Sequence, residues 1–224
     1  MSTFRPCIHL RGRENDAIVI KSYEELDQIG KSSNSNFLLE RNFMSKQIEF
    51  FFDRDYTKVM NLSEKLPPIN RKDPLMVTRL MYEGVASLTL ARQTNQVKWR
   101  NKGEDCLEKL SKWLGISEWN FAHNFYLVQA EWSYLNGNLN AAEAAYNASI
   151  LSAHNHHFLH EEALAYELYS IFCFQNQMID IGVEQLRMAL EKYKQWGAIK
   201  KVGKLQLLME MDYPPLLHKL MVTV

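Results

Sequence analysis

The sequence has only three cysteines, Cys7, Cys106 and Cys173, far apart and without a Cys-x-x-Cys pair. An odd, scattered set builds neither a disulfide framework nor a thiolate zinc site. No uninterrupted apolar run exceeds four residues, against roughly 20 for a helix that spans a bilayer, so no membrane insertion is expected. The first ten residues, with Arg5, Pro6 and His9, lack the apolar core of a secretory signal, and the chain reads as soluble and cytoplasmic. Net charge is missing too: 26 Lys and Arg oppose 26 Asp and Glu, which removes the basic signature of a nucleic-acid binder. What remains, 46% hydrophobic and 12% aromatic residues, is enough apolar material to exclude wholesale disorder.

Strand signals are nearly absent as well. Residues 1–36 form a polar leader with one short apolar run, Ala17 to Ile20, and a Ser22-x-x-Glu25 capping pattern. From Phe37 onward, apolar residues recur at three- and four-residue spacing between short Gly, Pro, Asn or Asp breaks, the pattern of packed amphipathic helices. The spacing predicts helices over Phe37–Phe52, Tyr56–Lys65, Pro74–Gln93, Val97–Leu114, Glu118–Asn136, Leu139–His154, His160–Gln175, Ile179–Trp196 and Ile199–Glu210, with a tail over 211–224. Pro67-Pro68 stops one of them, Gly115 and Gly197 suit left-handed caps, and Asn136-Gly137-Asn138 is a turn sequence. Asp73 before Pro74, and Ser117, mark starts.

The turns align as a repeat. Val59, Gly103, Ala142 and Gly182 fall in register, at a recurring interval of about 40 residues that suits a helical-pair repeat. Ser63, Leu107, Tyr146 and Leu186 follow one helical turn later, and Leu66, Leu110, Ser149 and Ala189 one turn beyond those. At a fixed distance before the first set, on the preceding helix, stand Gln47, Ala91, Ala130 and Ser170. Small residues at two fixed places let paired helices approach closely, which predicts an all-α fold of about four antiparallel helix pairs stacked as a solenoid over residues 37–210.

Those residues also carry a resemblance. Ala130-Glu131-Trp132-Ser133-Tyr134-Leu135-Asn136-Gly137-Asn138 followed by Ala142-x-x-x-Tyr146 resembles a tetratricopeptide repeat. Glu83-Gly84-x-x-x-Leu88-x-Leu90-Ala91-Arg92, Phe158-x-His160-Glu161-Glu162-Ala163-Leu164-Ala165-x-Glu167 and Tyr193-x-x-Trp196-Gly197-Ala198-x-x-Lys201-Val202 are similar to the tetratricopeptide-like region of hybrid ATPase/histidine-kinase signalling proteins. The resemblance implies a right-handed stack, a protein or peptide partner, and association with ATPase or kinase modules. The modules themselves have no counterpart here: there is no Gly-x-x-x-x-Gly-Lys-Ser/Thr loop to cradle phosphates, and no stretch outside the helices is long enough for a kinase domain. If the ligand-facing positions of tetratricopeptide first helices apply, the partner-binding residues are Arg92, Asn95, Asn124, Glu131, Tyr134, Glu167 and Phe174.

Two further features bear on function. His154-Asn155-His156-His157-Phe158-Leu159-His160-Glu161-Glu162 gathers His156, His157 and His160 as weak metal candidates, but Leu164 stands where a His-Glu-x-x-His protease requires its second histidine. Charge is segregated: residues 1–112 carry 19 basic and 15 acidic side chains, residues 113–186 carry eight acids and no Lys or Arg, and residues 187–224 return to an excess of four bases. That pattern predicts an acidic middle that attracts a basic peptide. The expected function is a non-catalytic interaction module, a scaffold or adaptor in signalling, with no cofactor. The alternatives are a metal-dependent enzyme built on the His154–Glu162 cluster, or a fragment working only inside a larger ATPase/kinase assembly.

Overall fold

The computed structural model describes residues 36–66 and 74–212. The expected leader up to residue 35, the Pro67-Pro68 stop, the Asp73 cap, Cys7 and the tail from residue 213 lie outside them. The described residues are all-helical, with no strand. In chain order the helices are α1 (Asn36–Phe52), α2 (Tyr56–Ser63), α3 (Pro74–Thr94), α4 (Val97–Leu114), α5 (Glu118–Leu135), α6 (Leu139–Asn155), α7 (Leu159–Gln175), α8 (Ile179–Trp196) and α9 (Ile199–Asp212). Apart from the link between α2 and α3, only two or three residues join each helix to the next, so neighbours run antiparallel. The heaviest contacts are within the pairs α3/α4, α5/α6 and α7/α8, while α1 touches α3, α3 touches α5 and α5 touches α7.

The backbone repeats more regularly than the side chains. Gly137, His157, Gln177 and Gly197, evenly spaced along the chain, all adopt the left-handed conformation. After each of them a backbone N–H reaches back into the last turn of the helix: Asn138 to Ser133 O, Phe158 to Ala153 O, Met178 to Cys173 O and Ala198 to Tyr193 O, all at 2.9–3.0 Å. This bond closes a Schellman cap, and Arg54 with Asp55 N to Phe50 O makes the same one between α1 and α2. Only two of these five positions are glycine. Gly115, expected to be a left-handed cap, has φ −64 and is right-handed instead, because the chain passes directly into the Ser117 cap of α5, whose hydroxyl accepts from Asn120 N.

The repeat register holds in the packing. Val59, Ala142, Gly103 and Gly182 are buried, as are Gln47, Ala91, Ala130 and Ser170. A Cβ on Gly103 of α4 would lie 2.4 Å from Leu88 Cδ2 of α3, and one on Gly182 of α8 would lie 2.6 Å from the Phe174 ring of α7. In both pairs the second helix is thus drawn against the first at a glycine. Four of the five tryptophans, Trp99, Trp113, Trp132 and Trp196, fill gaps against the core; Trp119 does not, being 57% exposed with its ring on His156 and Phe158.

Gly103→Ala is expected to lower stability by about 1 kcal/mol, because Leu88 is fully buried and overpacking outweighs the roughly 1 kcal/mol of added helix propensity. Gly203→Ala on α9, where nothing lies within 4 Å of the new methyl, is expected to raise stability by up to about 1 kcal/mol. Chemical denaturation of the two variants beside the parent checks both signs.

Candidate functional site

A buried carboxylate must be met by donors or neutralised, and this chain meets that demand repeatedly. Arg92, in the last turn of α3, sends Nη2 to Glu131 Oε2 of α5 at 2.6 Å and Nη1 to the Glu131 carbonyl at 3.3 Å. Tyr146 of α6 donates its hydroxyl to Glu131 Oε1 at 2.5 Å, and the guanidinium lies over the Tyr134 ring, 4.5 Å from its centroid. Glu131 is 2% exposed.

Glu167 of α7 is bound still more heavily. Oε1 accepts from Arg54 Nη2 at 2.7 Å, Arg54 Nε at 3.2 Å and Lys201 Nζ at 2.8 Å, while Oε2 accepts from Tyr193 at 2.7 Å. Burial alone pushes this carboxyl up, but Lys201 and Arg54 outweigh it and hold it down to about 2. Lys201 Nζ also donates to the Phe52 carbonyl at 3.0 Å, Lys204 pairs with Asp53, and the Phe52 ring packs on Tyr193 and Trp196. The turn between α1 and α2 is thereby clasped by α7, α8 and α9, elements that follow it by most of the length of the chain.

Between the two pairs lies a cavity of about 330 Å³ lined by residues of α2, α3, α5, α6, α7 and the first turn, among them Arg54, Arg92, Glu131, Tyr134, Tyr146 and Phe172. The buried Tyr56 also lines it and feels the charges of Arg54, Glu167, Glu131 and Arg92 together, which places both ion pairs around one ring. Three residues expected to bind a partner, Arg92, Glu131 and Tyr134, meet here, and Glu167 stands behind Arg54. The other three do not join them. Asn95 is the exposed left-handed residue of the α3–α4 turn, Asn124 is buried with its amide 2.8 Å from His123 Nε2, and Phe174 is buried against Gly182.

The acidic groove needs correcting at its two central positions. Glu131 and Glu167 are neither exposed nor unpaired, so they offer no free negative charge to a basic peptide. The same holds for Glu162, 3% exposed, which is met by Lys192 at 2.9 Å and His154 at 3.0 Å, and for Glu161, met by His160 at 2.7 Å. Four of the eight acids of the middle segment are therefore interior, and three take a Lys or Arg from outside it. Sequence reasoning misses Arg54, Lys201, Tyr146 and Tyr193 as their partners, because no local spacing links Arg54 to Glu167 or Glu167 to Lys201.

The histidines disperse. His160 stacks on Trp196 and His156 packs at a tilt against Trp119, His157 is the exposed left-handed turn residue, and among the described residues no three His, Cys, Asp or Glu side chains gather to hold a metal ion. His123, outside the histidine motif, is 2% exposed and stacks on Phe158 at 4.2 Å. Burial pushes its pKa down from 6.5 to about 4 against the pull of Glu161, with His160 and His156 adding to the push. Cys106 and Cys173 are buried and their thiols pushed up to about 12, so neither is a thiolate at neutral pH. No described helix is long and apolar enough to cross a membrane. Compared with known proteins, the chain matches no protein-family model, no curated protein and no solved structure.

Glu167→Ala is expected to cost about 3–5 kcal/mol, since it strands buried Lys201 without a counter-charge, whereas Arg54→Gln costs about 1 kcal/mol, because Arg54 is 32% exposed and Glu167 keeps Lys201. Denaturant titrations at neutral pH separate the two. For His123 the folded pKa of about 4 lies below the ordinary 6.5. Across that window the unfolded chain binds the extra proton, so stability falls as pH falls, by roughly 3 kcal/mol in all. Melting curves over that range should show a shallower slope for His123→Gln than for the parent.

Proposed function

We propose that the chain is a non-catalytic protein-interaction module, a right-handed tetratricopeptide-like stack acting as a scaffold or regulatory adaptor in signalling. The observation that carries the reading is a ladder of side chains. Arg92, Tyr134 and Gln175 stand in the last turns of α3, α5 and α7. Arg92 lies over the Tyr134 ring, and the Tyr134 hydroxyl donates to Gln175 Oε1 at 2.9 Å. Side chains from the C-terminal turns of three successive first helices thus form one fixed, partly exposed polar strip. Side chains held in advance lose little entropy on binding, and repeat stacks use such strips to recognise partners.

The paired and buried carboxylates support the non-catalytic side of the proposal. Glu131, Glu162 and Glu167 are counter-ions of fixed cations, and Glu167, held down by Lys201 and Arg54, makes a poor general acid at neutral pH. The pairs recur at about 40 residues, longer than the roughly 34 of a standard tetratricopeptide repeat, so the likeness is to the architecture rather than to the consensus length. The resemblance to the hybrid ATPase/histidine-kinase region makes an ATPase or kinase module the first partner class to test.

A photo-crosslinking residue placed at Gln175 should capture a discrete partner polypeptide in cells, and Tyr134→Ala should reduce that capture severalfold. The same residue at exposed Leu151 on α6 should capture none. Equal capture from both positions, or none from Gln175, overturns the reading.

A further inference from the structure

Among the described residues, the charged side chains linked to Arg54 and Arg92 at the cavity do not balance. Arg54, Arg92, Lys201 and Lys204 contribute four positive charges, and their partners Glu131, Glu167 and Asp53 contribute three negative ones. The surplus sits at Glu167, where Arg54 and Lys201 share the single oxygen Oε1. Arg54 spends Nε and Nη2 on that oxygen and lines the cavity. Two cations on one carboxylate oxygen repel each other, and burial together with Arg54 lowers the pKa of Lys201 despite Glu167.

The rest of the lining is mixed: Thr89, Gln93 and Gln175 are polar, while Tyr56, Tyr134, Tyr146, Leu168, Ile171 and Phe172 give it an apolar and aromatic part. A volume of about 330 Å³ falls at the lower end of the range for small-molecule sites. One surplus charge beside an apolar wall calls for a monoanion with an apolar body. A phosphate monoester carries about −1.5 to −2 charges and would overshoot the surplus next to Glu131.

We propose that this cavity is a binding site for a small amphipathic carboxylic acid, its carboxylate received by the free side of the Arg54 guanidinium and its hydrocarbon or aromatic body held between Tyr134, Leu168 and Phe172. The bound acid gives Arg54 a second counter-ion and relieves its competition with Lys201 for Glu167. Because Arg54 belongs to the clasped first turn, occupancy tightens the hold of that turn on the cavity. The cavity shares Arg92, Tyr134 and Gln175 with the strip, but binding of the acid requires no protein partner.

The test uses hexanoate, phenylacetate and 3-phenylpropionate, each beside its primary amide, titrated into the full chain. Binding is followed by calorimetry and by the side-chain Nε–H resonances of Arg54 and Arg92. At least one acid should bind with a Kd on the order of 0.1–1 mM and about tenfold or more tighter than its amide, moving the Arg54 resonance. Arg54→Gln should erase the difference between acid and amide; Gln occupies the same left-handed conformation at Gln177. Should that variant fail to fold, the comparison on the parent chain decides alone. Amides that bind as well as acids, no binding at about 10 mM ligand, or inorganic phosphate binding more tightly than every acid overturns the proposal. So does an octapeptide ending in phenylalanine that binds tenfold tighter than 3-phenylpropionate, which would assign the cavity to a chain terminus.

Discussion

The fold depends on carboxylates of its middle helices being neutralised by cations from the segments on both sides of them. Glu131 takes Arg92, Glu162 takes Lys192, and Glu167 takes Arg54 and Lys201. None of these acids has a Lys or Arg within its own segment, because residues 113–186 contain none. Burying the glutamates unpaired would cost several kcal/mol each, so the flanking helices are required as counter-ions and not only as packing surface. Among the described residues, part of the middle segment's negative charge is thus neutralised by the basic segments on either side.

Packing and charge are divided between two levels of the structure. Within helix pairs, contact is set by shape: Gly103 admits Leu88, and Gly182 admits the Phe174 ring. Between pairs, buried tyrosines and ion pairs carry direction. Arg92 of α3 reaches Glu131 of α5, and Tyr146 of α6 stacks on Tyr169 of α7 at 5.2 Å, while the hydroxyls of Tyr146 and Tyr193 bind Glu131 and Glu167 within their own pairs. Shape recurs from pair to pair and is tolerant of exchange. The ionic contacts differ at each junction, and they make each pair fit one neighbour.

How much was legible in the sequence follows the same division. Helix limits were readable to within two residues, because apolar periodicity and turn residues are local signals. The register of Val59, Gly103, Ala142 and Gly182 was readable because close approach demands small side chains. Left-handed turns at Arg54, His157 and Gln177 were not, since those residue types give little sign of positive φ. The site was half legible. Arg92, Glu131 and Tyr134 come together at one cavity, but Glu131 and Glu167 are buried and paired: a run of acids looks the same whether it faces solvent or an interior arginine. The partners that decide the matter stand on other helices, far along the chain, and leave no mark in local spacing.

The clasp of the first turn by α9 has a consequence for the protein's modularity. A row of helix pairs joined only to their neighbours can gain or lose a unit without loss at its ends, and such rows are lengthened and shortened readily. Here Lys201 holds the carbonyl of Phe52, and Arg54 reaches Glu167, so the two ends must stay a fixed distance apart. Removing or adding one helix pair would leave the contacts within the remaining pairs intact and still pull these partners out of reach. The number of helix pairs between these contacts is therefore a fixed dimension of this molecule, as the circumference is of a closed ring.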